Sequence, residues 1–77
     1  MPRIHVVGKP PKFVPVHRID GEPYLFLTEV QDYFPHVKRL MWGDELVPFA
    51  KGHNGNILIP LRIRAPWKTY FGYEEKE

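Results

Sequence analysis

The chain has 77 residues, a net charge of +2 and no cysteine. That length makes one small domain with a modest core, and the missing cysteines exclude disulfide staples and thiolate metal sites. A hydrophobic share of 43% and an aromatic share of 14% support a packed core rather than a disordered chain.

No apolar run approaches the roughly 20 residues that span a bilayer. "MPRIHVVGKPPK" lacks the long apolar segment of a signal peptide. The expected setting is cytoplasmic, for a soluble intracellular protein with no membrane contact. The basic balance permits an anionic partner without demanding one, and the acidic end "YEEKE" opposes it.

Nine prolines cut the chain into short elements. Residues 1–12, with "GKPPK", read as an extended leader, because each proline fixes φ and removes a donor, and its first residues either pair as an edge strand or stay mobile. Residues 13–66 form the expected core. "FVPVHRI" (13–19) and "YLFL" (24–27) are apolar strands around the turn residues "DGEP", which predicts a β-hairpin. "TEVQ" (28–31) fits a capping box, with Thr28 and Gln31 as its two polar ends. Val30, Phe34, Val37 and Met41 then follow at helical spacing. Pro35 disfavours helical geometry at Phe34 and suits a first helical turn itself. Two short helices over 28–34 and 35–42 are expected, with one kinked helix as the competing reading, and Gly43 as a left-handed cap.

"ELVPFAK" (45–51) and "ILIPLRIR" (57–64) read as a second hairpin across "GHNGN", with Asn54-Gly55 at its tip. In 57–64, Ile57, Ile59, Leu61 and Ile63 should face inward. Leu58, Pro60, Arg62 and Arg64 should face outward. "APWKTYFGYEEKE" should then leave the sheet as an aromatic and acidic tail over 67–77. Trp67, Tyr70, Phe71 and Tyr73 are too many rings for a free end. They either pack back or anchor a protein partner.

Serine and cysteine are both absent, which removes the usual nucleophiles of covalent catalysis. No glycine-rich phosphate cradle occurs. His5, His17, His36 and His53 do not have the three-to-five-residue spacing of paired metal ligands. Asp20, Glu22, Asp44 and Glu45 fall at expected turns, where acids are ordinary. The expectation is a binding protein rather than an enzyme, with no cofactor and no metal.

The order of elements resembles a winged helix-turn-helix. "YLFLTEVQDYFP" resembles the opening of the excisionase and MerR-type DNA-binding domains. "VKRLMWGDELVPFAKGHNGNILIP" resembles their basic helix, strand, wing and return strand. The hairpin "HRIDGEPYLFL" is also similar to phage antirepressor and Ski/Sno/Dac domains.

The resemblance implies a small α+β domain, winged-helix-like, with two short helices and two β-hairpins. It implies double-stranded DNA as partner and a role in transcription, with a phage or mobile element as the source. Lys38 and Arg39 would lie on the recognition helix, and Lys51, His53, Asn54 and Asn56 on the wing. Arg62 and Arg64 add cations on the same half, where phosphates would be neutralised and binding would fall steeply with salt. The other reading is a protein–protein module, a small viral structural or regulatory protein, that docks on a larger assembly. It would use the tail residues Trp67, Tyr70, Phe71 and Tyr73 and a sheet edge.

Overall fold

The computed structural model describes residues 1–74. Eight short strands and a single helix build two sheets. The strands are β1 (Arg3–His5), β2 (Lys12–Phe13), β3 (His17–Ile19) and β4 (Glu22–Phe26), then β5 (Val37–Trp42), β6 (Glu45–Leu46), β7 (Arg62–Arg64) and β8 (Thr69–Glu74). The helix α1 is Leu27–Tyr33. One sheet has the order β2-β1-β8-β5-β6, and the other has the order β3-β4-β7.

The first hairpin forms where expected but with other bounds: of 13–19 only His17–Ile19 pairs with β4, Phe13 belongs to β2 in the larger sheet, and Leu27 starts the helix. β3 and β4 pair antiparallel with Ile19 across from Glu22. The two-residue loop Asp20-Gly21 has positive φ at both positions, which matches its twist to that of the strands. The first helix also forms, but without a capping box. Its N-cap is Phe26, with no side-chain cap. The Leu27 N–H instead donates to the Leu61 carbonyl at 3.1 Å, and the Gln31 amide donates to the Val37 carbonyl at 2.8 Å.

The second helix does not exist, and the winged-helix architecture with two short helices falls with it. Residues 34–37 make a turn, closed by the Val37 N–H on the Phe34 carbonyl at 3.0 Å, with Pro35 at the position where its fixed φ fits. Val37–Trp42 is then a strand paired with β8. A register shift between Val37 and Arg39 marks a bulge. The extra residue lets Val37 and Leu40, three apart, both face the core. Buried positions three apart imitate a helix, and this is why the spacing misleads. Gly43 has the expected left-handed φ of 62°, yet it opens a hairpin loop. Trp42 lies across from Glu45, so Gly43-Asp44 is the loop, of the kind that places glycine first.

The second expected hairpin does not form: β6 pairs with β5 in the larger sheet, and β7 pairs with β4 in the smaller. Only Glu45–Leu46 and Arg62–Arg64 are strands. The stretch between them is an irregular loop held by a single bridge from Lys51 to Ile57. Pro48 and Pro60 have no N–H for a ladder. Of the supposed inward row, Ile63 is buried and Leu61 partly so, but Ile57 and Ile59 are exposed.

The ends of the chain depart furthest from expectation. The leader pairs, and not at an edge: β1 lies between β2 and β8, antiparallel to the first and parallel to the second. The supposed tail is the middle strand of the larger sheet, between β1 and β5. Residues 75–77, the acidic end of that tail, lie outside the described residues.

The core sits between the sheets. It joins Ile4, Val6, Leu40 and Tyr70 of the larger sheet to Leu25 and Ile63 of the smaller, with Val30 and Phe34 of the helical segment closing it. Tyr70 has no exposed surface. Burial pushes its phenol up from the ordinary value, and the hydrogen bond from the Trp67 N–H opposes this.

Gly72 lets β5 and β1 approach. A Cβ there would stand 2.9 Å from a methyl of Val37 and 2.9 Å from a methyl of Val6. Gly72→Ala is therefore expected to destabilise the fold by about 1–3 kcal/mol, the usual cost of overpacking. A urea unfolding midpoint unchanged from that of the parent would contradict this.

Candidate binding surfaces

The pleat of the larger sheet sorts its side chains into two faces. Ile4, Tyr70 and Leu40 face the core. The alternate positions face outward. Register places His5 beside Phe71, Phe71 beside Met41, and Met41 beside Leu46. One row therefore crosses four strands. The His5 and Phe71 rings have centroids 5.5 Å apart, tilted by 34°. Arg3 lies across from Phe13, with its guanidinium 5.2 Å from the ring centre. Tyr73 lies across from Arg39.

Phe13, Phe71, Tyr73 and Leu46 are each about half exposed. A sheet face turned to water normally alternates to polar residues; this one carries rings. Among the described residues no outward strand position on it holds a carboxylate.

A second surface lies where the two sheets part. Trp42 and Trp67 stack with centroids 4.5 Å apart, and Trp67 meets Tyr70 edge-on. Beside them is a groove of about 640 Å³ whose lining includes Pro48, Phe49, Lys51, Arg64, Pro66 and Trp67.

The expected site residues scatter over these surfaces. Lys38 is exposed at the β5 bulge rather than on a helix. Arg39 is folded along the strand, where its guanidinium donates to the Val47 carbonyl at 3.3 Å and lies 4.9 Å from the Phe49 ring centre. Arg62 lies over Phe26 and Tyr24 and donates to the Pro60 carbonyl. Both arginines are thus engaged in the fold. His53, Asn54 and Asn56 are exposed at the loop tip, where the Asn54 side chain accepts from the Asn56 N–H at 3.0 Å.

Lys51, Arg64 and Trp67 come together at the groove. Phe71 and Tyr73 share the outer face, whereas Tyr70 is core and unavailable to a partner. Sequence reasoning missed His5, Arg3, Phe13, Met41 and Leu46. The two-residue alternation in "TYFGY" was the available signal for the outer face.

Among the described residues no three of His, Asp and Glu converge as a metal site requires, and no helix is long and apolar enough to cross a membrane. Comparison with family models, with curated proteins and with solved structures finds no match.

Proposed function

We propose that this chain is a binding protein, not an enzyme, and that it takes single-stranded nucleic acid on the outer face of its larger sheet. The observation that carries this reading is the outward row of rings with no carboxylate among it. Bases stack on exposed Phe, Tyr and His rings of open sheets, and stacking tolerates any base because each has a π-face. Phe71 and Tyr73 are two residues apart on one strand, so their rings are spaced by about 6.5 Å. Arg3 at one side and Lys38 at the other supply cations for phosphates.

The duplex reading has less support. A recognition helix is absent, and α1 has seven residues with Glu29 and Asp32 among them. Acids at that position repel a phosphate backbone. An intracellular setting, as the composition led us to expect, is where such a partner is met.

The test is fluorescence anisotropy of a labelled 12-mer of thymidine against a 12-bp duplex of mixed sequence. Preference for the single strand by tenfold or more is expected; equal or tighter duplex binding refutes the reading. Salt gives a second check. Single-strand binding loses affinity with a log–log slope of about −0.7 per phosphate neutralised. Two or three bordering cations therefore predict a slope of roughly −1.4 to −2 between 50 and 200 mM salt, shallower than a phosphate-gripping wing would give. A slope beyond about −4 would show that phosphates, not rings, carry the binding.

A further inference from the structure

The groove beside Trp67 has a property that the outer face lacks. Its floor includes the open edge of β7. Leu27 donates to the Leu61 carbonyl and Ala65 donates to the Pro23 carbonyl, so the odd-numbered residues of this strand turn their backbone groups toward β4. The even-numbered ones turn away, as the Ala50 N–H bonded to the Arg62 carbonyl shows. Arg64 is the next even position. Its N–H and carbonyl point away from β4, and among the described residues no backbone group answers them. The segment that covers Arg62 lies across the groove from Arg64, and the groove opens between residues 47–51 and Arg64.

We propose that this groove binds an extended acidic peptide that adds to the β7 edge. Three observations converge on that occupant. An unpaired donor and acceptor on one strand residue match a peptide main chain, which supplies both; a nucleic-acid strand has no such repeating pair. Two cations, Lys51 and Arg64, line the groove, and among the described residues no carboxylate does. Trp67 and Phe49, flanked by Pro48 and Pro66, form an apolar wall for alternate side chains. In an extended peptide successive side chains point to opposite sides, so acids alternating with apolar residues would meet cations and rings in turn.

This surface is separate from the outer sheet face, and the proposal stands apart from the nucleic-acid reading. The experiment can keep the two distinct, because Trp67 lines the groove and the chain's other tryptophan, Trp42, stacks on it. The full chain is titrated with a capped hexapeptide of alternating glutamate and valine, and tryptophan emission is followed. A saturable change is expected. Arg64→Glu should weaken it at least tenfold, and Lys51→Glu should weaken it less. Both side chains are exposed, and a far-ultraviolet spectrum checks each fold.

Replacing the glutamates with lysines should abolish binding, and N-methylating the central amides should weaken it tenfold or more. No emission change, equal binding of the lysine peptide, or indifference to Arg64→Glu or to N-methylation overturns the proposal. Displacement of the peptide by a thymidine 12-mer, itself lost in Arg64→Glu, would assign the groove to nucleic acid instead.

Discussion

Replacing Phe71 and Tyr73 together with alanine is expected to remove single-strand binding while leaving the fold in place. Each ring is 48% exposed, so little core packing is lost. Each should contribute the usual stacking energy of about 1–3 kcal/mol per base. The pair then accounts for at least about 2 kcal/mol, which is roughly a 30-fold loss of affinity.

Tyr73→Phe should keep most of the binding, because stacking uses the ring and not the hydroxyl. Lys38→Ala should weaken binding only slightly and make the salt slope shallower by about 0.7. If the double variant binds a thymidine 12-mer as the parent does, the outer face is not the site. If it fails to bind but also loses its cooperative unfolding, His5→Ala supplies the independent check, since His5 stacks on Phe71 from the neighbouring strand.

The second large effect concerns stability. Truncation after Pro66 should unfold the chain rather than release a tidy core. β8 lies between β1 and β5, and its removal leaves the two halves of the larger sheet without a common strand. Tyr70 alone fills a fully buried position, and losing a large aromatic there costs about 3–5 kcal/mol. A chain of this length has only about 4–12 kcal/mol of stability in all. The truncated chain should therefore show no cooperative urea transition and no near-ultraviolet dichroism. Tyr70→Ala should unfold at a much lower urea concentration than the parent. A cooperative transition retained after truncation would mean that the core is not organised around β8.

The elements legible in the sequence are those whose signals are local. The Asp20-Gly21 turn needs left-handed backbone at both positions and dictates a hairpin over any neighbouring fold. The helix from Leu27 was readable from its periodicity, although its cap was not: Thr28 lies two residues past the cap position, and the Leu61 carbonyl does that work from a distant part of the chain. Asn54-Gly55 also marks a turn wherever it occurs, whereas Gly43 keeps its left-handed φ but opens a hairpin loop rather than capping a helix. Residues at a turn carry their conformational demand with them.

The misread elements depend on partners far along the chain. Val37–Trp42 carries helix-compatible residues, and a bulge gives its buried positions a helical spacing. Pairing with β8 decides that it is a strand, because a central sheet position outweighs a propensity of a few tenths of a kilocalorie. Ile57 and Ile59 alternate as a strand should, yet prolines deny them a ladder. "TYFGY" alternates too, but only a strand on each side of it makes Tyr70 core and leaves Phe71 and Tyr73 facing water. The same holds for the candidate sites. Composition by itself showed that the chain has rings and cations to spare and neither serine nor cysteine. Which rings face outward together, and that Arg64 turns an unpaired backbone edge into a groove beside Lys51 and Trp67, was decided by contacts between residues tens of positions apart. Such contacts depend on the packing of the whole chain, and no local pattern in the sequence records them.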